Sequence, residues 1–407
     1  MRRRSRAAVL LAVAGPGLLA GLADDDPAGI TTYSILGADY GYELLWVLAI
    51  ATAALIVFHE LAARMGIVTG QGLLGLIRER YGVRWGSLAL TTLVIANLGT
   101  TCAEFAGVGA ALELAGVSRY AAVPVAALAV SALVLGGGFR RVEHVLMALS
   151  AVFVTYVAAG VLAGPDWGAA ARGLVVPGMP LTRDAALVVV ATVGTTLAPW
   201  GIAFLQSYAA DKRLTVSELP AERVDVVTGA LLTGVIGAFI VIACAATLHK
   251  AGRPIESAED AAAALEPLAG GVAGALFATG LLGAGLLAAS ILPLSTAYAV
   301  CDAAGVEAAL DDSFSEAPLF YGAYGAVVLA GAGIVLIPGA PLVEILFLTQ
   351  ALNAVLLLPL LWFMRGVAAD PRIMGAQALG PLGRGVTLAA IVLVGACVVL
   401  LAVLQIA

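Results

Sequence analysis

Three consecutive carboxylates precede a proline in the run Ala23-Asp24-Asp25-Asp26-Pro27-Ala28-Gly29-Ile30, inside an otherwise apolar stretch. A charge at the centre of a spanning helix costs about 2.5–3.5 kcal/mol by insertion scales, so it persists mainly where it faces a cavity or a partner. Proline removes a backbone donor, and the expected interruption at Asp26–Gly29 leaves carbonyls, that of Ala28 among them, free to bind an ion. Carboxylate oxygens beside freed carbonyls compose a cation site with Asp26 as its charged anchor. A second proline break stands at Thr195-Thr196-Leu197-Ala198-Pro199-Trp200-Gly201. There Thr195 and Thr196 either donate oxygens to an ion or satisfy freed backbone groups. Glu104, a lone acid in an apolar helix, either faces a hydrated metal or is a protonated core carboxyl bonded across helices.

The elements that must carry these residues are membrane spans. Of the 407 residues 61% are hydrophobic and 12% charged, against roughly 45–50% and 25% in soluble domains. The mean hydropathy is +1.03. Apolar segments of about 20 residues predict an all-α polytopic protein of one transmembrane domain. Eleven spans are expected, the first broken and running over roughly 7–37. The others cover about 43–67, 86–114, 120–137, 142–163, 184–209, 222–248, 271–301, 318–337, 341–364 and 386–406.

Arg2, Arg3, Arg4 and Arg6 precede the first span and predict a cytoplasmic N-terminus in a multi-pass protein of the cell membrane. That orientation puts sixteen Lys and Arg residues on the cytoplasmic side and five outside. The apolar region continues past Pro16 without a cleavage site, which argues against a removed signal peptide. Cys102, Cys244, Cys301 and Cys397 form no pairwise motif and read as packing residues. His59-Glu60 and Glu143-His144 read as boundary residues or gate pairs, and His249 as a solvated loop residue. No nucleic-acid-binding patch is visible.

Broken helices in first and sixth place predict two five-helix halves of inverted topology, residues about 7–163 and 184–364, with an extra helix at 386–406. Unwound segments of such transporters meet near the membrane midplane and hold the ion there. Asp24 and Asp25 cannot point the same way as Asp26 at about 100° per residue, so one of them is expected to line an aqueous vestibule.

Gly15-Pro16-Gly17, the Asp26-Pro27-Ala28-Gly29 break, Gly41-Tyr42-Glu43-Leu44-Leu45-Trp46-Val47-Leu48 and Gly66-Ile67-Val68-Thr69-Gly70 resemble the Nramp divalent-metal transporters. The resemblance covers most of the chain and implies the LeuT-type inverted-repeat fold. In typical Nramps the breaks read Asp-Pro-Gly-Asn and Met-Pro-His, and the aspartate, asparagine and methionine sulfur bind a transition metal. Here Asp26 is kept, but Gly29 stands for asparagine, Ala198 for methionine and Trp200 for histidine. Losing the thioether removes the ligand that favours soft metals, and the two small residues enlarge the site. A roomy, all-oxygen site suits Mg²⁺, which dehydrates reluctantly. With Gly99–Gly107 and Ser290–Tyr298, these changes resemble the Nramp-related magnesium transporter branch. By the same resemblance, Gln350 and Asn353 on the tenth span contact the ion's water shell or simply hydrogen-bond between helices.

The resemblance also bears on coupling. Thr101 replaces the first acid of the third-span Asp-Leu-Ala-Glu-like stretch, leaving Glu104. No Lys or Arg occurs between Arg253 and Arg365, so the ninth span lacks a base. The expected function is uptake of Mg²⁺, and of Mn²⁺, without proton coupling and without a resident cofactor. The alternative is a proton-coupled Mn²⁺/Fe²⁺ symporter. An intramembrane aspartyl enzyme would need a second aspartate on another helix, where only Glu104 is available. An amino-acid carrier would need helix N-terminal donors for a carboxylate, where three aspartates repel an anion.

Overall fold

Pro16, Pro27, Pro199, Pro318 and Pro381 each open a helix, because the N–H that proline lacks has no intrahelical acceptor in the first turn. This explains where the breaks fall in the computed structural model, which describes residues 16–136, 154–256, 258–265, 270, 273–306 and 312–406. The N-terminal part is α1 (Pro16–Asp24), α2 (Pro27–Tyr40), α3 (Leu45–Thr69), α4 (Leu73–Tyr81), α5 (Val83–Leu114) and α6 (Arg119–Leu135). Next come α7 (Val154–Leu162), α8 (Trp167–Val175), α9 (Arg183–Thr196), α10 (Pro199–Asp211) and α11 (Leu219–Cys244). The last long helices are α12 (Ala273–Ala304), α13 (Pro318–Val335), α14 (Leu342–Ala368) and α15 (Pro381–Ile406).

Among the described residues, eight segments are helical, long and apolar enough to cross a membrane, counting α9 and α10 as one, and α6 is a shorter apolar helix. Eleven spans were expected. The expected fifth span, 142–163, falls largely outside the described residues, as does the start of the first. The expected pair Glu143-His144 lies outside them too.

The first interruption differs from expectation in register. It lies at Asp25–Asp26, before the proline, while Ala28 and Gly29 are already helical. Pro27 occupies the first position of α2 and Asp26 caps it, so the proline begins a helix here rather than ending one.

Small residues let the helices around the breaks approach closely. A side chain added at Gly17 or Gly21 of α1 would run into the backbone of Val226 or Gly229 on α11. The Thr233 hydroxyl of α11 donates to the Gly21 carbonyl at 2.6 Å. Pro27 is wedged between α5 and α12, where a side chain at Gly107 would overlap its ring and one at Gly285 would come within 3.2 Å of it. On the other side, Gly194 of α9 lies directly against the Gln350 carbonyl of α14. The outward positions of α15, including Leu382, Val392, Val399 and Val403, are exposed and apolar, as a hydrocarbon-facing surface requires.

Glu60 accepts from Arg64 at 2.8 Å and from Arg223 at 2.7 Å. Arg80 pairs with Asp370, which also caps the short helix Pro371–Met374.

Candidate metal centre

The cap of α2 reorganises the backbone around it. In an unbroken helix the carbonyls of Ala23, Asp24 and Asp25 would accept from residues 27, 28 and 29. Pro27 has no N–H, and the N–H groups of Ala28 and Gly29 turn to the Asp26 carboxylate, that of Gly29 at 2.6 Å. All three carbonyls therefore lose their helical donors. Regular pairing resumes when Ile30 N–H donates to the Asp26 carbonyl at 2.9 Å.

This corrects the role expected of Ala28. Its carbonyl sits inside α2 and accepts the Thr32 hydroxyl at 2.8 Å. The freed carbonyls are those one turn earlier in the chain.

The second break mirrors the first. Leu197 N–H closes α9 on the Val193 carbonyl at 2.9 Å, and Ala198 caps α10 with extended backbone. Pro199, without an N–H, relieves the Thr195 carbonyl of its donor. The two breaks meet at Gly29. The point where a Gly29 Cβ would stand is 3.0 Å from the Asp24 carbonyl oxygen, 3.2 Å from Asp26 Oδ1 and 3.3 Å from Thr195 Oγ1. Three oxygens from two interrupted helices thus crowd around Gly29, where an added Cβ would press on each of them. Thr195 Oγ1 is buried without a hydrogen-bond partner.

Thr196 behaves differently from its neighbour. Its hydroxyl donates to the Thr192 carbonyl at 2.8 Å and lies 2.9 Å from the Tyr33 hydroxyl, which is the structural one of its two expected roles. Ala198 and Trp200 are buried, and the Trp200 carbonyl accepts the Ser295 hydroxyl at 3.0 Å.

Glu104, fully buried on α5, brings its carboxyl within hydrogen-bonding reach of Asp26. Asn353 on α14 donates to Gln350 Oε1 at 3.0 Å and to Thr100 Oγ1 of α5 at 2.9 Å. Gln350 and Asn353 therefore form an interhelical network one turn from Glu104, and Asn353 Oδ1 keeps a free acceptor. Asn97 adds a further tie, donating to Thr296 of α12 at 2.9 Å.

All three aspartates are buried, at 0–3% exposure, so neither Asp24 nor Asp25 lines an open vestibule. The carboxyl oxygens of Asp24, Asp25 and Glu104 have no hydrogen-bond partner, and no Lys or Arg among the described residues pairs with them. Each unpaired buried charge costs several kcal/mol, so this concentration of carboxyls demands protons or a cation. No cluster of three or more His, Cys, Asp or Glu side chains among the described residues forms a ready-made cage. Backbone and hydroxyl oxygens must supply the balance of any coordination here.

His59, expected as a boundary residue or as half of a gate pair with Glu60, is wholly buried on α3, which rules out the exposed boundary position. Its signal in the sequence was its helical face, shared with Leu55, Ala62 and Gly66 rather than with the charged Glu60. His249 does sit at the surface, and its Nδ1 lies 2.8 Å from the Ala38 carbonyl.

A cavity of about 690 Å³ opens beyond α10, lined by Gln71, Ser207, Asp211, Arg213, Tyr298 and Asp302 among others. At 1.5 Å per residue, Ser207 lies roughly 12 Å along α10 from the second break. None of the oxygens at Gly29 belongs to a residue lining this cavity.

Comparison with known proteins gives a consistent picture. A family model described as "Natural resistance-associated macrophage protein-like" matches residues 17–404. The chain is similar to the divalent metal cation transporter MntH of Burkholderia ambifaria, with 32% identity over 296 residues, covering 70% of this chain and 66% of the relative. Similarity to MntH of Bacillus subtilis is 32% over 300 residues, covering 70% and 69%. The chain spans about two thirds of the length of these relatives. In fold it is similar to the manganese transporter of Eremococcus coleocola, with a TM-score of 0.79 at 18% identity, covering 98% of this chain and 87% of that one. It also resembles MhsT in complex with L-phenylalanine, with a TM-score of 0.65 at 15% identity over 97% and 98% of the two chains.

Proposed function

The chain belongs to the Nramp family, and from that premise we propose that it carries divalent metal cations across a membrane, with Mg²⁺ as preferred cargo and Mn²⁺ accepted. The observation behind this reading is the convergence of the Asp24 carbonyl, Asp26 Oδ1 and Thr195 Oγ1 over Gly29. All three donors are oxygen, the ligand that hard cations prefer. Gly29 and Ala198 bring no thioether or amide, so space is left for water that Mg²⁺ gives up reluctantly.

In this reading Asp26 anchors the charge and Glu104 faces the ion's retained water. Thr195 donates its hydroxyl, while Thr196 holds the break together. Gln350 and Asn353 complete the polar wall, with Asn353 Oδ1 turned to the water shell. The two breaks belong to two inverted five-helix halves, as the family premise implies, and the polar cavity beyond α10 is one route between the site and solvent.

We further propose that flux is driven by membrane potential rather than by protons, because Thr101 and Trp200 stand where the family carries titratable groups. The competing reading is proton-coupled Mn²⁺/Fe²⁺ symport, favoured by the buried His59 and by the names of the relatives. Reconstituted flux of Mg²⁺, Mn²⁺ and Ca²⁺ with a lumenal pH dye tests both. Metal-dependent acidification in step with flux selects the symporter. Flux of none of the three ions discards the transport reading.

A further inference from the structure

Asp24 and His59 come from different helices, α1 and α3, and neither side chain takes part in the oxygen cluster at Gly29, to which Asp24 lends only its backbone carbonyl. Both are buried, at 1% and 0% exposure. Both carboxyl oxygens of Asp24 and both ring nitrogens of His59 lack a hydrogen-bond partner. Yet they aim at one place. The point where a Gly201 Cβ would stand is 3.3 Å from Asp24 Oδ1 and 3.4 Å from His59 Nε2. The two side chains thus flank the same small space beside Gly201, and no hydrogen bond joins them. Glycine at 201, in the first turn of α10, keeps that space open.

From this geometry we infer a second cation site, in which the Asp24 carboxylate and the His59 imidazole together bind a divalent transition metal. A carboxylate supplies charge, and an unprotonated imidazole supplies a nitrogen donor suited to Mn²⁺, Co²⁺ or Cd²⁺ and poorly suited to Mg²⁺. Two protein ligands leave the other coordination positions to water. Occupancy would satisfy buried atoms that otherwise carry the full cost of desolvation. The site lies on the opposite side of the Asp25–Asp26 interruption from α2. It is therefore a separate stop for softer ions, and its existence does not depend on which ion is transported.

The test uses the full-length protein in nanodiscs, titrated with Cd²⁺ by calorimetry and with Mn²⁺ by pulsed electron paramagnetic resonance. The wild type is expected to bind two Cd²⁺ ions per chain. Asp26→Asn should lose one and keep the other, with nitrogen modulation on the remaining Mn²⁺ signal. His59→Gln should lose the nitrogen modulation and one Cd²⁺ while still binding the ion at Asp26, which also reports that the variant is folded. Gly201→Ala keeps both ligands and fills the space between them, so it should lower Cd²⁺ occupancy of this site at least tenfold. A wild type that binds a single Cd²⁺ lost in Asp26→Asn overturns the second site and leaves the transport reading intact. Nitrogen modulation that survives in His59→Gln overturns it as well, as does an occupancy unchanged in Gly201→Ala.

Discussion

Asp26 caps α2 and Glu104 lies in the middle of α5, and their carboxyls face each other within hydrogen-bonding reach. Neither Glu104 oxygen finds a donor. Two carboxyls so placed cannot both stay ionised in a dry interior without something positive between them. The pair is therefore a receptor for a proton or for a metal, and the occupant decides the chemistry. Glu104→Gln offers Asp26 an amide donor in place of a competitor for the cation. The variant should fold normally and bind Mg²⁺ at least tenfold more weakly, about 1.4 kcal/mol, as read by calorimetry. Unchanged affinity would remove Glu104 from the site.

Asp26→Asn keeps the shape of the cap, since an amide oxygen still accepts from Gly29 N–H, but discards the charge. Transport of every divalent ion should fall to background in proteoliposomes, with an unaltered elution profile on size exclusion. Near-parental flux would mean that the ion is anchored elsewhere.

Restoring the ligands that the family usually carries tests selectivity. A side chain at Gly29 would press on the Asp24 carbonyl, Asp26 Oδ1 and Thr195 Oγ1, all within 3.3 Å, so Gly29→Asn displaces the donors it is meant to join. Ala198→Met is the cleaner change. It should reduce Mg²⁺ flux several-fold while Mn²⁺ or Cd²⁺ flux is kept, because the thioether fills water space and favours softer ions. Loss of all three fluxes together would indicate a plugged path instead.

Potential-driven entry makes a distinct electrical prediction. Each charge crossing the membrane gains about 2.3 kcal/mol per 100 mV, so Mg²⁺ uptake should rise steeply as a negative interior potential is imposed, with lumenal pH constant. Uptake that ignores potential and follows a pH gradient would refute it.

The surface tie between Arg80 and Asp370 carries a pH dependence. The Arg372 backbone N–H, helped by Arg80, holds the Asp370 carboxyl below its ordinary range. A carboxyl lowered on folding stabilises the fold above its unfolded-state pKa, and that contribution disappears as pH falls through the folded-state value. The melting temperature of the wild type should therefore drop on acidification below pH of about 4 more than that of Asp370→Asn. Parallel curves would show that the tie adds nothing.

Much of the architecture was legible because apolar length and proline are blunt signals. Pro27 and Pro199 marked both interruptions. The register of the first break was not legible. Pro27 is equally able to end a helix or to begin one, and Asp26 as a cap decided the matter. For the same reason the Ala28 carbonyl lies inside α2, where it accepts the Thr32 hydroxyl. Convergence across helices was hidden as well, since nothing in the spacing of Gly29 and Thr195 or of Asp24 and His59 reveals that each pair meets. His59 was read from its charged neighbour, although its apolar face at three- and four-residue intervals pointed inward.

Pro27, seated between Gly107 and Gly285, has a mechanical consequence. Glu104 is one turn from Gly107 on the same helix, and Asp26 adjoins Pro27. The glycine seat thus sets, through backbone packing alone, how Asp26 stands against Glu104. Enlarging Gly107 to Ala would push on the proline ring and disturb this seat without altering a single ligand.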